Sequence, residues 1–225
     1  MRDRVTRLLA LDTSTQLCSV AIAEDARLLA ACSESLGRGH AERLIPMIQA
    51  VLAEANLDYA ALDAIVATIG PGTFTGVRVG LAAARGLALA AARPLVGVTT
   101  LEVLAAATDA AAGRTVVAIM ASGRDRAYVQ TFAPGLRPSG EPTAPRLDDL
   151  VPPPGALLVG DAAARVAART GHATDPSVVL PDITVVARLG QARLALEGNR
   201  VGALADVTPL YVRPPDARPM TPRAP

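Results

Sequence analysis

Lysine is absent from this chain; all 22 of its basic residues are arginine. That absence removes a Walker-type phosphate-binding lysine, a Schiff-base amine and a lysine general base together. Tryptophan is also missing, and aromatic residues make up 2% of the sequence. Stacking platforms for nucleobases are therefore scarce, and a net charge of +1 gives no general field for a polyanion. Both facts speak against direct RNA binding by the chain alone. Two histidines, His40 and His172, lie far apart and leave little from which to build a metal centre. Cys18 and Cys32 sit in apolar, strand-like segments and read as small thiols of the core rather than a disulfide or a redox pair. No serine stands in a Gly-x-Ser-x-Gly elbow. The most apolar stretch, Leu81 to Val98, is broken by Arg85, Gly86, Arg93 and Pro94, which argues against a membrane span. Met1 to Arg7 is charged and does not read as a secretory signal, so a cytoplasmic location is expected.

What fills the chain instead is small aliphatic residues: hydrophobic content is 51%, largely alanine, valine and leucine. At 225 residues it can bury a sizeable core in one large domain or two small ones. Its most informative stretch is Gly70-Pro71-Gly72-Thr73-Phe74-Thr75-Gly76-Val77-Arg78-Val79-Gly80. The apolar run Ala64 to Ile69 before it predicts a buried strand. Gly70 and Gly72 give access to positive φ and Pro71 fixes its own, so a sharp turn is expected. Thr73 or Thr75 can cap the helix that follows. Gly76 and Gly80 share one helix face with Ala83 and Ala84, a smooth strip suited to a closely packed neighbour. Arg78 and Arg85, seven residues apart, add charged anchors along the same helix. Together with Val77, Ala84 and the His40 helix (His40, Leu44, Ile48), they form the expected partner or dimer interface.

The pattern along the chain begins with three strands, Leu8–Asp12, Cys18–Ala23 and Leu28–Ser33, joined by turns short enough for an antiparallel meander. A helix from His40 to Ala55 follows, with Pro46 assigned to its first turn. The glycine-rich helix leads to a strand, Leu95–Val98, and then to a helix from Leu101 with Thr99 and Glu102 at capping-box spacing. Thr115–Met120 and Tyr128–Phe132 restart the strand pattern. Seven prolines from Pro134 to Pro154 disfavour regular structure there. Ala156–Val159 reads as a strand, Ala162–Arg169 as a helix, and Val185–Glu197 as a helix stopped by Gly198. The expectation is an N-terminal lobe over 1–112, a smaller lobe over 113–213, and a proline-rich disordered tail over 214–225.

The glycine motif, the Leu9-Ala10-Leu11-Asp12-Thr13-Ser14 opening and Gly39-His40-Ala41-Glu42-Arg43-Leu44-Ile45-Pro46 occur in the order seen in the TsaB (YeaZ) family, which the chain resembles over residues 8 to 100. Pro209-Leu210-Tyr211-Val212-Arg213-Pro214 is similar to a late segment of that family. The resemblance implies a duplicated ribonuclease-H-like α/β fold of the sugar kinase, chaperone and actin superfamily, two lobes with mixed sheets flanked by helices. It also implies a non-catalytic subunit that binds and activates the TsaD transferase. With the TsaE ATPase, that complex installs N6-threonylcarbamoyladenosine beside the anticodon of tRNA. In this picture the chain meets tRNA only through the complex, pairs with itself when alone, and carries no cofactor, with nucleotide expected only at the partner interface.

In the superfamily, the turn equivalent to Asp12-Thr13-Ser14 is a phosphate loop. Here it reads as degenerate, since Gly160-Asp161 is the nearest candidate for the second acidic loop that a nucleotide site needs. The homologous transferases carry a His-x-x-x-His metal pair; the fourth residue after His40 is Leu44. That substitution disfavours a metallopeptidase reading, while an ATP-dependent kinase or ATPase acting through Asp12 and Thr13 remains the main alternative. Family members show Asp-Ala-Arg followed by Glu-Val-Tyr where this chain has Ala121-Ser122-Gly123 and Arg126-Ala127-Tyr128, so a role shared through that loop is in question.

Overall fold

The strands of the first half alternate small and branched apolar side chains, and a sheet with helices on both faces is the arrangement that buries both sets. A computed structural model of the protein describes residues 5–25, 27–197 and 206–213. Strands β1 (Arg7–Asp12), β2 (Leu17–Glu24) and β3 (Arg27–Ser35) form the expected antiparallel meander. Strands β4 (Ala64–Thr68) and β5 (Leu95–Val98) add in parallel, giving the order β3-β2-β1-β4-β5. One face of the sheet, with Leu9, Leu11, Ile22 and Ile65, packs against helices α1 (His40–Glu54) and α2 (Phe74–Ala91). Helix α3 (Thr100–Ala106) opens as anticipated: the Thr99 hydroxyl accepts the Glu102 amide at 3.1 Å.

The second sheet contains β6 (Val116–Ala121), β7 (Ala127–Ala133), β8 (Arg137–Pro138), β9 (Leu157–Val159) and β10 (Ala173–Thr174), in the order β10-β9-β6-β7-β8. Helix α4 (Ala163–Thr170) covers one face through Ala163 and Val166, and α3 covers the other through Leu101, Leu104 and Ala105. Two mixed sheets flanked by helices make this the duplicated ribonuclease-H-like architecture expected from the motifs.

Four expectations need correction. The last helix, α5 (Ile183–Glu197), lies on the first sheet, where Ile183, Val186 and Ala187 close over Leu8, Ala10, Ala21 and Val66. Residues 206–213 return to the same lobe: the Leu210 amide donates to the Ile69 carbonyl at 2.8 Å. Among the described residues, α5 and the segment after it thus pack on the first lobe rather than extending a second lobe to 213, because α1 and α2 leave an apolar face of the first sheet for α5 to cover. Pro46 lies past the first turn, inside α1, where an exposed ring withholds one hydrogen bond from the Glu42 carbonyl. The proline-rich stretch does hold structure: β8 pairs with β7, the Val129 and Thr143 backbones exchange hydrogen bonds at 2.9 Å, and Leu147–Asp149 forms a 3₁₀ turn. Finally, α2 starts before Leu81 and is by length and composition apolar enough to cross a bilayer; Val77, Leu81, Ala84 and Ala88 are instead buried in this fold, and Arg78 and Arg85 project from it. Gly198 and the tail 214–225 lie outside the described residues.

Candidate functional site

Asp12, Thr13 and Ser14 end β1 with at most 1% of their surfaces exposed. The Thr68 hydroxyl and the Ser14 amide both donate to Asp12 Oδ1, at 2.6 and 3.0 Å. The Thr13 hydroxyl donates to the Gly76 carbonyl at 2.7 Å, and the Ser14 carbonyl accepts the Thr73 amide at 2.8 Å. Groups that would face a phosphate in an open loop are thus turned onto the first turn of α2. Burial raises the Asp12 pKa, opposed in part by the hydrogen bonds from Thr68 and Ser14. Asp12 Oδ2 and Ser14 Oγ are buried without a hydrogen-bond partner among the described residues.

The glycine loop is built around this turn. Gly70 has φ 99°, in the left-handed region, but Gly72 does not share that conformation. Its need for glycine is steric: a Cβ there would overlap the Ser14 backbone. Thr73, rather than Thr75, caps α2 by accepting the Gly76 amide at 3.2 Å. Pro71 is buried, and Thr73, Phe74 and Thr75 are exposed. Cβ atoms on Gly76 and Gly80 would overlap the Thr13 carbonyl and hydroxyl respectively. The small strip therefore seats α2 on the β1–β2 turn of its own chain. Leu44, Ile48, Gly76, Val77, Gly80 and Ala84 are all buried inside this lobe, so they do not line a surface as expected. Arg85 is also occupied, donating to the Val207 carbonyl at 2.7 Å.

What α1 and α2 do expose is Arg78, from the expected set, together with Ile45, Phe74 and Leu89. The Arg78 guanidinium lies 3.7 Å above the centre of the Phe74 ring, and its Nε donates to the Tyr211 hydroxyl at 2.7 Å. The two rings sit 5.8 Å apart, forming one half-exposed aromatic and cationic cluster. Sequence reasoning found Arg78 but not Tyr211 as its partner; the only signal was that both lie in family-like segments. Thr68 was missed as well, although a lone hydroxyl at the end of a fully buried strand asks for an acceptor.

His40 starts α1, and its Nε2 is buried without a hydrogen-bond partner among the described residues. Among the described residues no three metal-ligating side chains converge on one point. His172 is taken up locally, with its ring nitrogens 2.9 Å from Thr170 Oγ1 and 3.0 Å from the Pro153 carbonyl. Burial pushes the Cys18 thiol up to about 11, which leaves it unreactive near neutrality.

A cleft of about 580 Å³ separates the lobes, lined by Ser14 and Thr73 on one side and by Ser122, Gly123, Tyr128 and Asp161 on the other. The Ala121 amide donates to Asp161 Oδ1 at 2.7 Å, so this carboxylate ties the altered loop to the end of β9; its pKa is raised by burial. Among the described residues no arginine or histidine lines the cleft, so phosphate charge would meet one acid and no cation from them.

The sequence model of the TsaD family, tRNA N6-adenosine threonylcarbamoyltransferase, matches residues 33–150. An uncharacterised protein, Rv3421c of Mycobacterium tuberculosis, is 34% identical over 221 residues, covering 97% of each chain. The tRNA threonylcarbamoyladenosine biosynthesis protein TsaB of Escherichia coli is 42% identical over 99 residues, 44% of this chain and 42% of that protein. YeaZ from Pseudomonas aeruginosa has the same fold, with TM-score 0.79, 31% identity, and coverage of 92% of this chain and 99% of that one.

Proposed function

The chain belongs to the TsaB (YeaZ) family, and from that premise we propose that it is a non-catalytic activator subunit in tRNA N6-threonylcarbamoyladenosine biosynthesis. It binds a TsaD-like transferase, works with a TsaE-like ATPase, meets tRNA only through that complex, and acts in the cytoplasm. The observation that carries this reading is the inward closure of Asp12-Thr13-Ser14. A loop whose carboxylate and threonine hydroxyl already serve the fold has little left for a phosphate or a metal-bound water.

The exposed cluster of Phe74, Arg78 and Tyr211, with Ile45 exposed on α1, supplies the partner surface. It combines aromatic area with an arginine, the residue types that dominate binding energy at interfaces. A second copy of the chain can use the same patch around a two-fold axis. The expected result is that the TsaD homologue from the same organism co-purifies with the wild-type chain. Arg78→Glu combined with Ile45→Asp should abolish that capture and reduce the light-scattering mass of the isolated chain, with an unchanged circular dichroism spectrum. Capture that survives both substitutions would place the contact elsewhere.

The interlobe cleft supports a second reading, an ATP-dependent kinase or ATPase of the same fold, because it lies between Ser14 and Asp161. Steady ATP turnover by the purified chain alone, lost in Asp12→Asn, would favour that reading over the activator.

A further inference from the structure

The two arginines of α2 are placed very differently. Arg85 is half-buried and donates to the Val207 carbonyl at 2.7 Å. Arg78, two turns earlier, is exposed and makes no ion pair among the described residues. Its own helix cannot supply one, since Phe74–Ala91 contains no aspartate or glutamate.

The Arg78 guanidinium is nevertheless held in place. Its carbon lies 3.7 Å from the centre of the Phe74 ring and 5.6 Å from that of Tyr211. Its Nε donates to the Tyr211 hydroxyl at 2.7 Å. With Nε engaged, the two terminal nitrogens, Nη1 and Nη2, remain as a pair of in-plane donors, the spacing that matches the two oxygens of a carboxylate. Fixing a long side chain at an interface normally costs conformational entropy; here folding has already ordered it. An arginine that only faced solvent would need none of this support.

We propose that Arg78 is a preorganised anchor for a carboxylate, and that an aspartate or glutamate side chain of the transferase partner docks end-on against Nη1 and Nη2. This rests on the activator reading and names the chemistry that the partner must present. Phe74 and Tyr211 are positioning residues: they aim Arg78, and their half-exposed rings shield the ion pair from water once the contact forms. A protein carboxylate fits this single anchor better than RNA does. Gripping a phosphate backbone takes several cations, and the other arginine of α2 is already engaged.

Calorimetric titration of the full chain with the TsaD homologue from the same organism tests it. Arg78→Gln should weaken binding by about tenfold or more, the scale of one charged hydrogen bond, with unchanged circular dichroism. Arg78→Lys, which keeps the charge but not the fork, should recover only part of that loss. Tyr211→Phe should weaken binding by about twofold to tenfold in the wild-type chain, and not at all in the Arg78→Gln background, where no guanidinium is left to aim. The partner's exposed acids are then changed one at a time to the matching amide. One of them should be non-additive with Arg78→Gln, the double variant binding no worse than the weaker single variant. A wild-type chain that does not bind the transferase overturns the activator reading and the anchor together. Affinity unchanged in Arg78→Gln, or no partner acid coupled to Arg78, overturns the anchor alone. So does a loss confined to tRNA binding by the assembled complex, which would assign Arg78 to a phosphate instead.

Discussion

At the scale of single residues, the protonation of Asp12 bears directly on the fold. It is fully buried, and burial raises its pKa more than the bonds from Thr68 and Ser14 lower it. The folded chain therefore holds the Asp12 proton more tightly than the unfolded chain does. Ionisation then counts against folding: this group's contribution is most favourable below the ordinary carboxylate range and worsens as pH rises through the folded pKa. The side-chain amide introduced by Asp12→Asn would keep an oxygen for Thr68 and Ser14. Its nitrogen would stand where Oδ2 is now, close to the Ser14 hydroxyl. The substitution should raise stability at about pH 8 by about 1 kcal/mol, the worth of one satisfied buried hydrogen bond, with the gain shrinking towards acid pH. Urea unfolding at both ends of that range checks it. A variant less stable at every pH would show that the ionised carboxylate itself is needed. The sequence disclosed that Asp12 ends a strand but not which way the loop faces, since either orientation uses the same Asp-Thr-Ser. Gly72 shows the same limit: positive φ and close approach both call for glycine, and only the contact with Ser14 separates them.

At the scale of elements, helix α2 tests whether its glycines are there for packing. Replacing glycine by alanine in a helix interior gains about 1 kcal/mol of propensity. At Gly76 that gain meets a backbone obstacle, because the new Cβ would overlap the Thr13 carbonyl, which has nowhere to rotate. Gly86 on the same helix is exposed and has open space around it. Gly76→Ala should therefore destabilise by about 1–3 kcal/mol, the range for overpacking, while Gly86→Ala should stabilise by up to about 1 kcal/mol. Thermal unfolding of the two variants measures both signs at once. A destabilising Gly86→Ala, or a neutral Gly76→Ala, would contradict this account. Elements with local signals were legible in advance: the short turns of the meander, the Thr99 and Glu102 cap, and the strand before Gly70. The two-residue strands β8 and β10 were not, because each is too short to show an alternating pattern: β8 closes a tight hairpin on β7, and β10 pairs with β9.

At the scale of the whole molecule, the chain's end completes its beginning. The first sheet has two apolar faces; helices from the first 112 residues cover one through α1 and α2 but reach the other only through Val103 and Ala106 of α3. The other face, with Leu8, Ala10, Ala21, Val66, Val96 and Val98, is closed largely by α5. That helix packs so tightly that a Cβ on Gly190 would overlap the Val66 side chain. Residues 206–213 then fasten the Gly70 turn and α2 through Leu210, Val207 and Tyr211. The sequence showed two runs of strands and helices, from which consecutive lobes, the second smaller, followed naturally; nothing local in α5 says which sheet it will cover. Leaving that face bare would expose several large apolar side chains, each worth about 1.5–3 kcal/mol when fully buried, against a total domain stability of about 5–15 kcal/mol. Residues 1–112 produced alone should therefore lack a cooperative unfolding transition and should bind a hydrophobic dye. Co-expression with residues 180–213 should restore cooperative unfolding, and Leu189→Asp in that second fragment should prevent the rescue. The full chain should melt its first sheet and α5 together, so amide exchange in β1 and in α5 should report the same opening free energy. A 1–112 fragment that unfolds cooperatively without α5 would show that the first lobe is complete by itself and that the closure is dispensable.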